Sequence, residues 1–280
     1  MPAARFDGAC VLVTGASQGI GLATARAFAQ EGAHVALVAR NVQKLEEAAE
    51  AVRAARRSEA QVVLPLSADV ADEQAVRDAV TRATDALGRI GVLVNCAGIY
   101  VPQAFLDMPP ELFRAHVEVD LMGVVNVTRA VAPGMVARGS GAIVNISSMA
   151  GFVGVYGYSA YSAAKFGVMG FSEVLRSELA PHGVRVSVVC PPDVDTPGFA
   201  EERAIRPPET AKIAGSAKAA SADEIARVVL KAARSRKHLW VPGFGNALLY
   251  RLKGVWPELF FWVFDRQIAA VRKTSQETGS

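Results

Sequence analysis

Cysteine is scarce: the 280 residues hold three, Cys10, Cys96 and Cys190, each in or beside an apolar strand-like run. Thiols so placed offer neither a disulfide framework nor metal-ligand spacing and read as small core residues, which implies a reducing cytosol and no metal. Charge of one sign is also short. A net charge of +3 is too small to argue for a nucleic-acid partner. No uninterrupted apolar run reaches the ~20 residues of a membrane span. The first strand is expected within ten residues of Met1, leaving no room for a signal or anchor segment, so the reading is cytoplasmic. Repeats, low-complexity tracts and linkers are missing too, and one large domain is the economical count.

What is present centres on residues 147–165. Tyr161 stands four residues before Lys165 on an expected helix, so phenol and ammonium share one face a turn apart. A phenol titrates near pH ~10, and a fixed ammonium that favours phenolate brings it towards the working range. Alone, such a pair is usually an amphipathic helix with a solvated lysine. Here Ser148 lies thirteen residues upstream, just past the apolar run from Ala142 to Ile146, whose end would carry it into a cleft. Tyr156 and Tyr158 are rival phenols without a lysine one turn on.

The chain reads as strand and helix alternating six times. The first strand, Cys10 to Thr14, runs into Gly15-Ala16-Ser17-Gln18-Gly19-Ile20-Gly21 and a helix to about Gln30. Those glycines permit a tight turn, close approach to a pyrophosphate, and helix packed on strand. The second strand, His34 to Ala39, ends in Arg40 where a ribose-binding carboxylate would mark NAD. Arg40, Lys44 and Ser17 suit a 2′-phosphate instead, so NADPH is expected, the alternative being two solvated helix-start charges. After the third strand, Asp69, followed by Val70, either meets the adenine edge or caps the next helix. The fourth strand ends in Asn95-Cys96-Ala97-Gly98, where Asn95 either touches the cofactor or ties strands together. A helix is expected from about Pro110 to Arg138, then the Ser148 strand, the Tyr161 helix to about Ala180, and a sixth strand from Val184 to Cys190. The fold class is α/β: a Rossmann-type, doubly wound parallel sheet in a single domain with a basic and aromatic C-terminal extension.

In order and spacing, Gly15, Gly19 and Gly21, Asn95 to Gly98, Ser148 and Tyr161-x-x-x-Lys165 resemble the short-chain dehydrogenase/reductases over roughly residues 8–198. The resemblance implies that Ser148 holds the substrate oxygen, Tyr161 transfers the proton, and Lys165 binds the nicotinamide ribose and lowers the tyrosine pKa. It implies cofactor contacts from residues 15 and 17–21, from Asp69, Val70, Asn95, Ala97 and Gly98, and from Val194 and Thr196. Homodimers or homotetramers are usual in the family. One departure is Asp120, where an asparagine helps hold a proton-relay water. Asp120 is expected to keep that catalytic role through its carbonyl, although its carboxylate near Lys165 would oppose the lowering of the Tyr161 pKa.

The run from Cys190 to Glu202, with Pro191-Pro192-Asp193 and Asp195-Thr196-Pro197-Gly198, resembles a narrower group, the sphingoid-base ketone reductases. That likeness implies NADPH-dependent reduction of the 3-keto group of a long-chain 2-amino ketone. Asp193 or Asp195 would recognise the ammonium, or both are turn residues. Other readings are reduction of a 3-oxoacyl or steroid ketone, and a non-catalytic NADPH-binding scaffold. The expected division is a catalytic core over 6–200, a substrate-side closing segment over 201–238, and a last strand and tail over 239–280. Between Lys231 and Gly254 stand six Lys/Arg and no acid, followed by the aromatic run Val255 to Phe264. Such a tail lies on an anionic membrane, covers an alkyl-chain pocket, or meets another subunit.

Overall fold

Strand β1, Cys10–Thr14, shows why this sequence makes a sheet buried on both sides. Val11 and Val13 pack into one apolar layer while Leu12 between them packs into the other. The same alternation recurs in β2, His34–Ala39, where Val35 and Leu37 oppose Ala36 and Val38. The computed structural model describes residues 6–214 and 219–278. Residues 1–5, on which the expected lack of a leader partly rests, lie outside them.

The sheet has seven parallel strands in the order β3-β2-β1-β4-β5-β6-β9. Its remaining members are β3, Val63–Ser67; β4, Val92–Asn95; β5, Gly141–Ile146; β6, Val184–Val189; and β9, Leu239–Trp240. Two further two-residue strands, β7, Val194–Asp195, and β8, Ala220–Ser221, pair with each other beyond the sheet. Helices α1, Gly19–Gln30, α2, Val42–Arg53, and α9, Ala222–Arg234, cover one face through Phe28, Leu45, Val52, Ile225 and Val229. On the other face lie α3, Glu73–Leu87, α5, Gly123–Arg138, and α6, Ser159–Leu179, through Val76, Val131, Met135 and Leu175.

From β1 the chain winds outward to β3, then returns and winds the other way from β4. The crevice at that reversal is where an open α/β sheet receives ligands. The helix expected over Pro110 to Arg138 is helical throughout, but a five-residue π turn, Glu118–Met122, separates α4, Pro110–Val117, from α5. Inserted π turns add a residue to the spiral and are frequent at functional sites. Among the described residues, this is also the one stretch with the length and apolarity of a membrane span. Of its most apolar window 44% is buried in the protein.

The chain after β6 builds the far wall of the crevice. It forms α7, Pro197–Ile205, α8, Pro208–Ala214, α10, Phe244–Val255, and α11, Pro257–Thr278. Tyr250 of α10 meets Phe152 edge-on at 5.0 Å, and Phe260 and Phe264 of α11 pack on the cluster around Phe152, Val153 and Val188.

Candidate active site

Two clefts meet at the carboxyl edge of the sheet and share Ile20, Cys96, Gly98, Tyr100 and Thr196 in their walls. One, of about 310 Å³, follows the glycine loop; the other, of about 410 Å³, is the more apolar and holds Ser148, Tyr161 and Lys165. Both volumes lie within the ~300–1,000 Å³ usual for small-molecule sites.

Backbone proximity shapes the first cleft. Gly15 has φ +64°, and a Cβ there would lie 2.7 Å from the Ala97 backbone; one on Gly21 would lie 2.2 Å from the Gly15 carbonyl oxygen. Only glycine lets β1, α1 and the loop after β4 converge so closely. Gln18, the cap of α1, makes no side-chain cap hydrogen bond, and the first turn carries no acid. Its amide N–H groups are therefore left for an anion. Ser17, Gly19, Ile20, Arg40, Lys44, Asp69, Val70, Ala97, Gly98 and Thr196 line the same cleft. These residues fit a dinucleotide, with the pyrophosphate at the N-terminus of α1.

Asp69 does not cap α3; Asp72 does, accepting from the amides of Gln74 and Ala75. Instead Asp69 accepts from the Ala71 amide and stands 3.7 Å from Arg40, a pair exposed enough to be weak. Asn95 lines neither cleft. It is buried, donates to Thr128 Oγ1 at 3.1 Å and Asn145 Oδ1 at 2.8 Å, and so ties β4 to β5 and α5. Val194 lines the second cleft rather than the first.

In that second cleft, Ser148 caps the turn after β5, and its hydroxyl forms a hydrogen bond with the Tyr161 phenol. Lys165 is buried one turn along α6, with Nζ donating to the Ile146 carbonyl oxygen at 3.3 Å and 3.6 Å from Asp120 Oδ1. Its Nζ is 5.5 Å from the Tyr161 ring centroid. The phenol is not lowered as the spacing led one to expect. Burial pushes it well above its ordinary value, the Asp120 carboxylate pushes the same way, and the Ser148 hydrogen bond opposes them. Cys96 is no nucleophile at neutral pH, since burial pushes its thiol up to about 12 against the pull of Lys165.

Three residues to which the sequence reading assigned no role of their own, Glu202, Arg206 and His116, complete the walls or stand behind them. Glu202 is buried and accepts from the Tyr158 hydroxyl and from Arg206, whose guanidinium grips it at 2.6 and 2.7 Å and reaches Asp193 at 3.2 Å. His116, wholly buried, stands 3.0 Å from Asp120. Glu202 and Arg206, like His116 and Asp120, are four apart, the spacing that singled out Tyr161 and Lys165. Of the acidic pair after β6, Asp193 lines the cleft, whereas Asp195 is exposed on β7 and lines neither.

The chain is similar to known proteins in sequence and in fold. The family of short chain dehydrogenases matches residues 9–206. The chain is 40% identical over 228 residues to a 3-dehydrosphinganine reductase of Danio rerio, covering 81% of this chain and 69% of that one. Levodione reductase superposes with a TM-score of 0.79 at 30% identity, covering 87% of this chain and 99% of its own. NAD+-bound xylitol dehydrogenase superposes with a TM-score of 0.77 at 29% identity, covering 85% and 98%. The chain therefore belongs to the short chain dehydrogenase family and is an oxidoreductase that works with a nicotinamide dinucleotide.

Proposed function

We propose that this protein reduces the 3-keto group of 3-dehydrosphinganine, using NADPH. What carries the reading is the apolar cleft that opens from Ser148 and Tyr161 and is walled by Val153, Val155, Phe199, Ile213, Leu249 and Phe264. An alkyl chain leaving the reacting carbonyl has apolar surface to follow, and burying it stabilises the complex by about 0.8 kcal/mol per CH₂. Similarity to the zebrafish reductase supports the same substrate.

When bound, the nicotinamide supplies the hydride. Tyr161 gives its proton to the carbonyl oxygen as negative charge develops there, and Ser148 donates a hydrogen bond to that oxygen. Lys165 holds the nicotinamide ribose. Arg40, Lys44 and Ser17 receive the 2′-phosphate, on which NADPH preference rests. Asp193 faces the substrate ammonium; its Oδ2 is engaged by Arg206, and its side chain remains 45% exposed at the cleft. Aromatic residues of α10 and α11 lie on a membrane surface from which the lipid enters.

The test is NADPH oxidation by wild type and Tyr161→Phe with 3-dehydrosphinganine, its desamino analogue, a 3-oxoacyl ester and a steroid ketone. Turnover of the amino ketone above the others, lost in the variant by about 10²-fold or more, is expected. Turnover confined to the ester or steroid overturns the substrate, and equal use of the desamino ketone overturns the role of Asp193.

A further inference from the structure

Asp120 is wholly buried yet fully engaged. Oδ1 accepts from the Ile99 amide at 3.0 Å and stands 3.6 Å from Lys165 Nζ, while Oδ2 is 3.0 Å from His116 Nδ1. On the other side of the imidazole, Nε2 lies 3.4 Å from the Val101 amide nitrogen. An amide can only donate, so Nε2 keeps its lone pair and the ring proton sits on Nδ1, aimed at Asp120. His116 is then a neutral donor to a carboxylate that also meets a backbone N–H and an ammonium. Both oxygens of this buried carboxylate are thereby engaged, as a buried polar group requires.

The arrangement bears on Tyr161. The His116 ring on α4 and the tyrosine ring meet in an edge-to-face arrangement at 6.0 Å between centroids, and Asp120 acts on the phenol from the π turn that follows α4. Tyr100 faces it from the loop after β4, Ser148 from the loop after β5, and Asp193 from the loop after β6. Lys165 faces it from its own helix, and Tyr158 from the position just before that helix. Lys165, the cation of this group, stands next to the Asp120 carboxylate, which offsets its pull towards phenolate, and Asp193 adds a second negative charge.

We propose that His116 is a positioning residue that locks the Asp120 carboxylate against Lys165, and that this buried trio sets how readily Tyr161 exchanges its proton. The inference rests on the proposed role of Tyr161. In reduction the phenol O–H bond breaks and an O–H bond forms on the substrate oxygen as hydride completes the new C–H bond. In the reverse direction the phenol must lose its proton beforehand to accept the alcohol proton while hydride returns to the oxidised cofactor. Asp120 opposes that earlier loss.

The test is ionisation of Tyr161, read as the ultraviolet difference spectrum against Tyr161→Phe in the same background. It needs no substrate. Wild type, Asp120→Asn, His116→Ala, His116→Gln and the double variant Asp120→Asn/His116→Ala are titrated, with circular dichroism confirming the fold. Asp120→Asn is expected to bring phenol ionisation down by about one pH unit or more. His116→Ala should move it the same way and add nothing once Asp120 is asparagine. The glutamine variant, which keeps a donor, should restore part of the shift. In parallel, the pH at which sphinganine oxidation reaches half its plateau should fall with the phenol. An unchanged titration in Asp120→Asn overturns the proposal, as does a His116→Ala effect that persists in full beside it. Inactivity on sphinganine with the titration shift present would fail the substrate reading alone, and a fully active Tyr161→Phe would fail the catalytic one.

Discussion

Arg40 illustrates what one side chain decides. It follows β2 on the wall of the cleft proposed to receive the 2′-phosphate, and its exposed pairing with Asp69 is loose enough to yield to one. Hydrogen bonds to a charged group contribute about 1.5–3 kcal/mol. Arg40→Ser should therefore weaken NADPH binding by about ten- to a hundredfold and leave NADH binding nearly unchanged, as isothermal titration would show. At this scale the sequence was legible where chemistry follows from spacing along a regular element. Tyr161 and Lys165 meet because α6 is regular across them. Asn95 illustrates the limit. A polar residue at a strand end can face a ligand or the interior, and here the neighbouring Asn145 and Thr128, distant in sequence, turned it inward. His116 stands four residues before Asp120, so the spacing was there to see, but nothing in the sequence showed that this pair faces the interior or that a π turn begins between them.

Among the elements, the glycine loop leaves least tolerance. A methyl group on Gly21 would sit 2.2 Å from the Gly15 carbonyl oxygen, so α1 must move away from β1 to admit it. Gly21→Ala should lower stability by about 1–3 kcal/mol by urea unfolding and abolish cofactor-dependent fluorescence quenching. Strand and helix positions in the first 190 residues were largely legible, since β-branched runs and apolar periodicity there agree with burial. Boundaries moved by a residue or two: β3 begins at Val63 rather than Gln61, and β6 stops at Val189. The wall after β6 was not legible in the same way. Its helices α7, α8 and α10 are short, and α10 buries no residue fully, so no strong apolar face announces what they pack against.

For the whole molecule, the most unusual surface is that of α10 and α11. Phe244, Trp256, Leu259, Phe261 and Trp262 are exposed, with Arg251 and Lys253 nearby in sequence. Aromatic and basic groups together suit the boundary of an anionic bilayer. The protein is expected to float with phosphatidylserine-containing vesicles at low salt and to shift its tryptophan emission to the blue. Trp256→Ser/Trp262→Ser should reduce flotation by about tenfold while keeping turnover of a detergent-dispersed substrate. Vesicle-independent self-association that the same substitutions abolish would assign this face to a second copy.

The all-parallel sheet also governs how the chain reaches its structure. Parallel neighbours cannot be joined by a tight hairpin, and β1 must find β4, pairing Val11 with Val92 across most of the first hundred residues. The entropy of closing such loops is spent before the contacts between distant strands repay it, which slows the search and exposes unpaired strand edges meanwhile. A crevice built at the point where the chain reverses direction can therefore exist only late in folding, once both halves of the sheet have met.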